Sequence, residues 1–177
     1  MSGMLDRVAN TTTTTIAGIE IELIRRGRGR PLLFLHPEIG LAPDAAVIAA
    51  LAGSFEVIAP SHPGFGHSQL PDWMTTVEDL SYFYLDLLSA LRLDDVVLVG
   101  IAFGGWIAAE LAVKQPRQLA RLMLANPAGV KFGPRDQRDI ADIFSRPQHD
   151  RDARSGHDIR NARHFNSNVS SEDEIYV

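Results

Sequence analysis

The uncharged run Val96-Val97-Leu98-Val99-Gly100-Ile101-Ala102-Phe103-Gly104-Gly105-Trp106 constrains this chain more than any other. Its opening aliphatic stretch, Val96 to Val99, suits a strand covered on both faces, as in a parallel sheet. A Gly-x-x-x-Gly frame then leads into a helix, Gly105 to Lys114, which Gln115-Pro116 closes. A strand that turns so abruptly into a helix strains its central residue, and bulky neighbours would collide with the helix and the adjacent strand. Gly100 and Gly104 fit that requirement. The frame is that of a nucleophile elbow, but its centre, where Ser, Asp or Cys would stand, is Ala102.

The surrounding pattern places this turn in a layered α/β fold. Ile19-Glu20-Ile21-Glu22-Leu23 alternates apolar and polar side chains, which predicts a half-solvated antiparallel edge strand. Leu32 to Leu35 and Phe55 to Ala59 are short apolar runs read as buried strands, with a helix over Ala45 to Leu51 ended by Gly53. Thr75 or Thr76 caps a second helix carrying Val77, Leu80, Tyr84, Leu87, Leu88 and Leu91 on one face, with Glu78 and Asp79 in its first turn. Leu119 to Ala125 supplies a further strand. Strands alternating with helices imply a mainly parallel sheet with flanking helices and right-handed crossovers.

Charge and composition exclude several classes. A net charge of -5 gives no basic field for a phosphate backbone or an anionic membrane, so neither nucleic acid nor membrane is an expected partner. With no cysteine, disulfides, thiolate nucleophiles and Cys-ligated metals are out of reach. The Thr-rich N-terminus has no apolar core like that of a secretion signal, and the uncharged stretch Val96 to Ala109 is shorter than the ~20 residues of a membrane span. A cytoplasmic location is the default expectation.

Three motifs between Pro31 and Asn126, in this order, carry a resemblance. Leu35-His36-Pro37-Glu38-Ile39-Gly40 follows the third expected strand, with Pro37 where a glycine is usual. Ser61-His62-Pro63-Gly64-Phe65-Gly66-His67-Ser68 follows the fourth, with Ser61 where an aspartate is usual. The elbow at Gly100 to Gly104 is the third. Together they resemble the N-terminal half of an α/β-hydrolase of the esterase, epoxide hydrolase and carbon-carbon bond hydrolase superfamily.

The resemblance implies an ancestral serine-type hydrolase of an ester or related acyl or carbon-carbon substrate, without cofactor or metal. It makes position 102 the nucleophile's seat, and the N-H groups of Phe103 and Glu38 the donors of an oxyanion hole. His36 and Gly40 shape the loop, and Trp106 is a candidate pocket residue with core packing as the alternative. It further implies a partial core over 19–129 and the start of a lid helix over 130–146, while composition reads 1–18 as a flexible segment and the polar tail over 147–177 as disordered. The sheet is expected to stop after about the sixth strand, before the family's acid and histidine. A homodimer covering the exposed sheet edge at Leu119 to Ala125 would protect it.

Other polar candidates have plainer readings. His149, His157 and His164 lie in the polar tail and read as solvated surface. His36 reads as a loop organiser through hydrogen bonding, and His62 and His67 as turn residues or a pocket wall. Asn126, at a strand's carboxyl end, could orient a histidine without offsetting its charge. Gly64-Phe65-Gly66 is not a phosphate loop, because no lysine and Ser/Thr pair follows. Ala102 itself admits three explanations: an inactivating exchange of serine, a pseudoenzyme that retains its pocket for a small-molecule ligand, or decay of a longer gene. The change from patterned sequence to polar tail favours the last.

Overall fold

Strands and helices alternate along a computed structural model of the chain, which describes residues 10–42, 45–130 and 134. The elements are β1 (Asn10–Ile16), β2 (Ile19–Arg26), β3 (Pro31–Leu35), α1 (Ala46–Leu51), β4 (Glu56–Pro60), α2 (Val77–Ala90), β5 (Val96–Ile101), α3 (Phe103–Val113) and β6 (Leu119–Ala125). They build one six-stranded sheet in the order β1-β2-β4-β3-β5-β6. β1 and β2 run antiparallel to their neighbours, and β4, β3, β5 and β6 are mutually parallel. The expected α/β architecture is therefore present, with its parallel centre at β3 and β5.

The N-terminal expectation needs correction. The Thr run is not part of a flexible segment; residues 10–16 form β1, paired over its whole length with β2. Threonine is β-branched and suits an extended backbone. The two strands are joined by Ala17-Gly18, both at positive φ (50° and 83°), as a two-residue hairpin turn requires. β2 is consequently an interior strand, and β1 takes the edge that had been expected of it. The expected lid and tail segments lie outside the described residues.

Alternation along the strands sorts the core into two layers. Leu33, Leu35, Val96 and Leu98 face α2 and α3, where Leu80, Phe83, Tyr84, Leu87, Leu88, Ile107 and Leu111 are buried. Leu32, Phe34, Val57, Val97 and Val99 face the other way, toward Ile48 of α1. Both sides are apolar because both are covered, which is why β3 and β5 read as unbroken hydrophobic runs. Each fully buried aliphatic side chain contributes about 1.5–3 kcal/mol.

α2 starts where the sequence indicated. Thr76 is its N-cap: its Oγ1 accepts from the Asp79 N-H at 3.1 Å, while the Asp79 carboxylate accepts from the Thr76 N-H at 2.9 Å. At the far side of the sheet, β6 pairs with β5 and leaves Leu122 and Met123 at 44% and 61% exposure. Among the described residues no helix is long and apolar enough to cross a membrane.

Candidate active site

β5, α3 and the carboxyl end of β3 converge at Ala102. This residue is the N-cap of α3, with φ 48° and ψ -112°, a conformation that costs an L-residue about 1–3 kcal/mol. Its surroundings hold it there. The Ala102 N-H donates to the Ala125 carbonyl at 3.0 Å, and the Ala102 carbonyl accepts from the N-H groups of Gly105, Trp106 and Ala128 at 3.0, 3.2 and 2.9 Å. The flanking glycines are sterically required, as the sequence suggested. A Cβ on Gly100 would strike the Gly104 carbonyl and come within 2.7 Å of the Ala108 Cβ; one on Gly104 would strike the backbone of Leu35 and His36.

Opposite the elbow, the loop after β3 makes a turn closed by the Gly40 N-H on the Pro37 carbonyl at 3.0 Å, with Gly40 at φ 82°. Of the two expected oxyanion donors, the Phe103 N-H lies at the start of α3 and reaches the Glu38 carboxylate, Oε2, at 3.4 Å. Glu38 thus brings a side-chain anion, as well as its backbone, to this corner. A helix N-terminus favours that charge.

Beneath the loop lies a fully buried imidazole pair. The His36 and His62 rings stack with centroids 3.7 Å apart, and both residues are inaccessible to solvent. Their protons are fixed by partners that can only give or only take. The His62 backbone N-H must donate, so His36 Nε2, 2.9 Å away, is the bare nitrogen; His36 Nδ1-H then donates to the Pro37 carbonyl at 2.6 Å. The His36 carbonyl must accept, so His62 carries its proton on Nε2, 2.9 Å from it. His62 Nδ1 therefore accepts from the Tyr84 hydroxyl. Burial, reinforced by the neighbouring His36, pushes the His62 imidazole down to about 3. Burial lowers His36 against the opposing effect of the hydrogen bond it donates to the Pro37 carbonyl and raises the Tyr84 phenol. The hydrogen-bond pattern gives each of the two imidazoles a single N-H.

His36 has the bonding of a loop organiser. His62 fits the turn reading, since its carbonyl accepts from the Phe65 N-H at 2.8 Å, and its ring is buried in the core instead of lining a pocket. Tyr84, read in the sequence only as a helix-face residue, is the hydroxyl that completes the chain of bonds. Its spacing marked it as buried, and a buried phenol needs a partner, but nothing in the sequence named that partner. Phe65 and Phe103 pack on the pair, 5.7 Å each from the His62 centroid and 6.2 Å from one another.

Ser61, standing where an aspartate is usual, is served by a carboxylate from β2. Glu22 accepts from the Ser61 hydroxyl at 3.1 Å and from the His67 N-H at 3.2 Å, and its other oxygen lies 3.4 Å from His67 Nδ1. Ser68 Oγ donates to the Ser61 carbonyl at 2.8 Å and accepts from the Glu22 N-H at 3.0 Å. Burial raises the Glu22 carboxyl, but the hydrogen bonds from His67 and Ser61 outweigh it and the net shift is downward. Glu22 was read only as the polar half of an alternating strand.

Trp106 sits on the outer side of α3 at 37% exposure, where a Cβ on Gly129 would come within 2.6 Å of its indole, and is not part of the His36–His62 cluster. Asn126 follows β6 at φ 47°. His149, His157 and His164 lie outside the described residues. Among the described residues, no three His, Cys, Asp or Glu side chains converge as metal ligands do.

A strained strand-to-helix turn facing a His-Pro-Glu loop across the parallel centre of such a sheet defines an α/β-hydrolase core. Residues 30–168 match the family described as alpha/beta hydrolase fold, and the chain belongs to that family. It is 37% identical over 124 residues to a 2-hydroxymuconate semialdehyde hydrolase of Pseudomonas sp. (strain CF600), a match covering 66% of this chain and 43% of that protein. It is 35% identical over 130 residues to a 2-hydroxy-6-oxo-2,4-heptadienoate hydrolase of Pseudomonas putida, covering 69% and 46%. Similar solved structures include the epoxide hydrolase CorEH, at 28% identity and TM-score 0.59 over 70% of this chain and 46% of that one. A meta-cleavage product hydrolase follows at 25% identity and TM-score 0.60, over 69% and 47%. The chain spans about half the length of the curated relatives it matches.

Proposed function

We propose that this chain derives from a serine-type hydrolase of small carbonyl compounds, esters or carbon-carbon substrates of the kind named for its relatives, and performs no triad-dependent turnover with Ala102 in place. The observation that carries this reading is Ala102 itself, an unreactive methyl group in a backbone conformation suited to displaying a nucleophile. A methyl group cannot be deprotonated or attack a carbonyl. Loss of the nucleophile leaves about 10³-fold to 10⁴-fold acceleration over water where oxyanion donors and binding are intact.

A second reading, a binding module that keeps the pocket without the chemistry, is favoured by the retained strain. The elbow still holds its costly geometry. The two readings agree on the absence of turnover and differ on ligand binding.

Hydrolysis of p-nitrophenyl acetate by the 177-residue chain is expected to match that of buffer plus a serine-free control protein. Turnover well above that level, blocked stoichiometrically by a serine-directed covalent inhibitor, would overturn the proposal. Ala102→Ser, assayed alongside, reports whether a base stands near the seat: restored turnover places one there. Saturable binding of benzoate without turnover favours the binding module.

A further inference from the structure

We propose that the outer edge of β6 is a docking site for an extended peptide strand that carries carboxylates, supplied by another protein. The proposal stands apart from the reading of Ala102. Among the described residues β6 ends the sheet, so it presents outward-facing N-H and C=O groups that no described strand takes up. Such a row is matched by another strand, whose backbone offers the same groups at the same spacing. Pairing with β5 is regular from Arg121 to Ala125. That register sorts the side chains: Leu122 and Leu124 stand beside Leu98 and Gly100 on the α3 side, and Arg121 and Met123 beside Val97 and Val99 on the α1 side. Leu122 and Met123 are both exposed, so an incoming strand would cover apolar surface on each face.

Space for its side chains is already present. An open cleft of about 330 Å³ lies between the end of α3 and β6, lined by Ala112, Gln115, Pro116, Leu119, Arg121 and Leu122. Apolar side chains of the incoming strand fit its walls, and a carboxylate fits beside Arg121.

Charge selects the occupant. From Leu111 to Val130 the sequence carries Lys114, Arg117 and Arg121 and no aspartate or glutamate, in a chain with 22 acidic against 17 basic residues. Lys114 is engaged by Glu78 and Glu110, at 3.8 and 4.0 Å. Arg117 and Arg121 have no acidic partner among the described residues. A second copy of this chain is a poor match: β6 paired with its own copy brings the arginines of both chains to one seam, with no carboxylate from 111–130 on either side, and like charges across such a seam are destabilising. An acidic strand supplies the backbone partner and the counter-charge together.

The test uses the whole chain and two capped heptapeptides in which valine alternates with glutamate or with lysine. Titration followed by NMR gives the affinities, and hydrogen exchange at the outward-facing amides of β6 gives the location. The glutamate peptide is expected to slow that exchange and to bind at least about fivefold more tightly than the lysine peptide. Arg121→Glu, a change at an exposed side chain, is expected to invert the order. If that variant does not fold, salt decides: the affinity of the glutamate peptide is expected to fall at least about threefold between about 0.05 M and about 0.5 M sodium chloride.

No binding of the glutamate peptide, equal affinity for the two peptides, an order that Arg121→Glu leaves unchanged, or binding indifferent to salt would each overturn the proposal. So would protection of the outward-facing β6 amides before any peptide is added. Protection that grows with protein concentration would assign the edge to a second copy, and protection independent of concentration to a segment of the same chain.

Discussion

The Glu38 carboxylate rests 3.4 Å from the Phe103 amide, so one residue of the loop after β3 shields the very donor that opens α3. An anion arriving from solvent meets that donor already in use. Glu38→Ala should release it, and benzoate or a similar carboxylate is expected to bind about fivefold more tightly. Calorimetric titration of both proteins measures the ratio. Weaker binding in the variant would mean that Glu38 assists the ligand instead of competing with it.

The His62 imidazole gives acid sensitivity a definite direction. Its value near 3 in the folded protein lies below the 6.5 of the unfolded chain, so the unfolded state binds the extra proton first. The contribution to stability is complete above about pH 6.5 and declines as pH falls toward 3, with a slope of up to about 1.4 kcal/mol per pH unit. Urea unfolding from pH 7 to pH 4 is expected to show this decline, and His62→Gln is expected to flatten it. An unchanged slope in the variant would assign the acid sensitivity elsewhere.

Glu22 works in the same sense by a different route. Its carboxyl is lowered on folding, so the bonds it makes to Ser61 and His67 are at full strength above its unfolded value and weaken as pH falls through the folded one. Glu22→Gln should loosen the 61–68 loop, read as faster amide exchange at His67. Ser61→Asp, which supplies a carboxylate from within the loop, should restore protection in that background. No restoration would show that the loop needs its anion from β2 specifically.

Gly104→Ala probes the close approach of α3 to the end of β3. The added methyl group would have to share space with the Leu35 and His36 backbone, and the expected loss is about 3 kcal/mol, measurable by thermal unfolding. A loss below about 0.5 kcal/mol would mean that β3 and α3 can separate at little expense.

The parallel centre of the sheet was legible because burial on both faces leaves an unmistakable apolar signature in β3 and β5, and because the Thr76–Asp79 cap is written in four residues. β1 was not legible: a run of threonines lacks hydrophobic alternation, and its hairpin turn begins with Ala17 where Asn or Asp would have announced it. Within the site, Gly100, Ala102 and Gly104 stood out because steric demand restricts which residues fit. Tyr84 and Glu22 did not, since each acts on a partner dozens of residues away, and sequence spacing within one helix or strand carries no record of such pairing.

The elbow owes its shape in part to β6, the last of the described strands. Ala102 gives its N-H to Ala125 and takes an N-H from Ala128, so the segment that ends β6 works as a clasp on a strained peptide. Should that margin of the sheet fray, the clasp opens first, and the stored torsion at Ala102 has a way to relax. Integrity at the periphery and readiness at the centre are thus a single cooperative property of this fold.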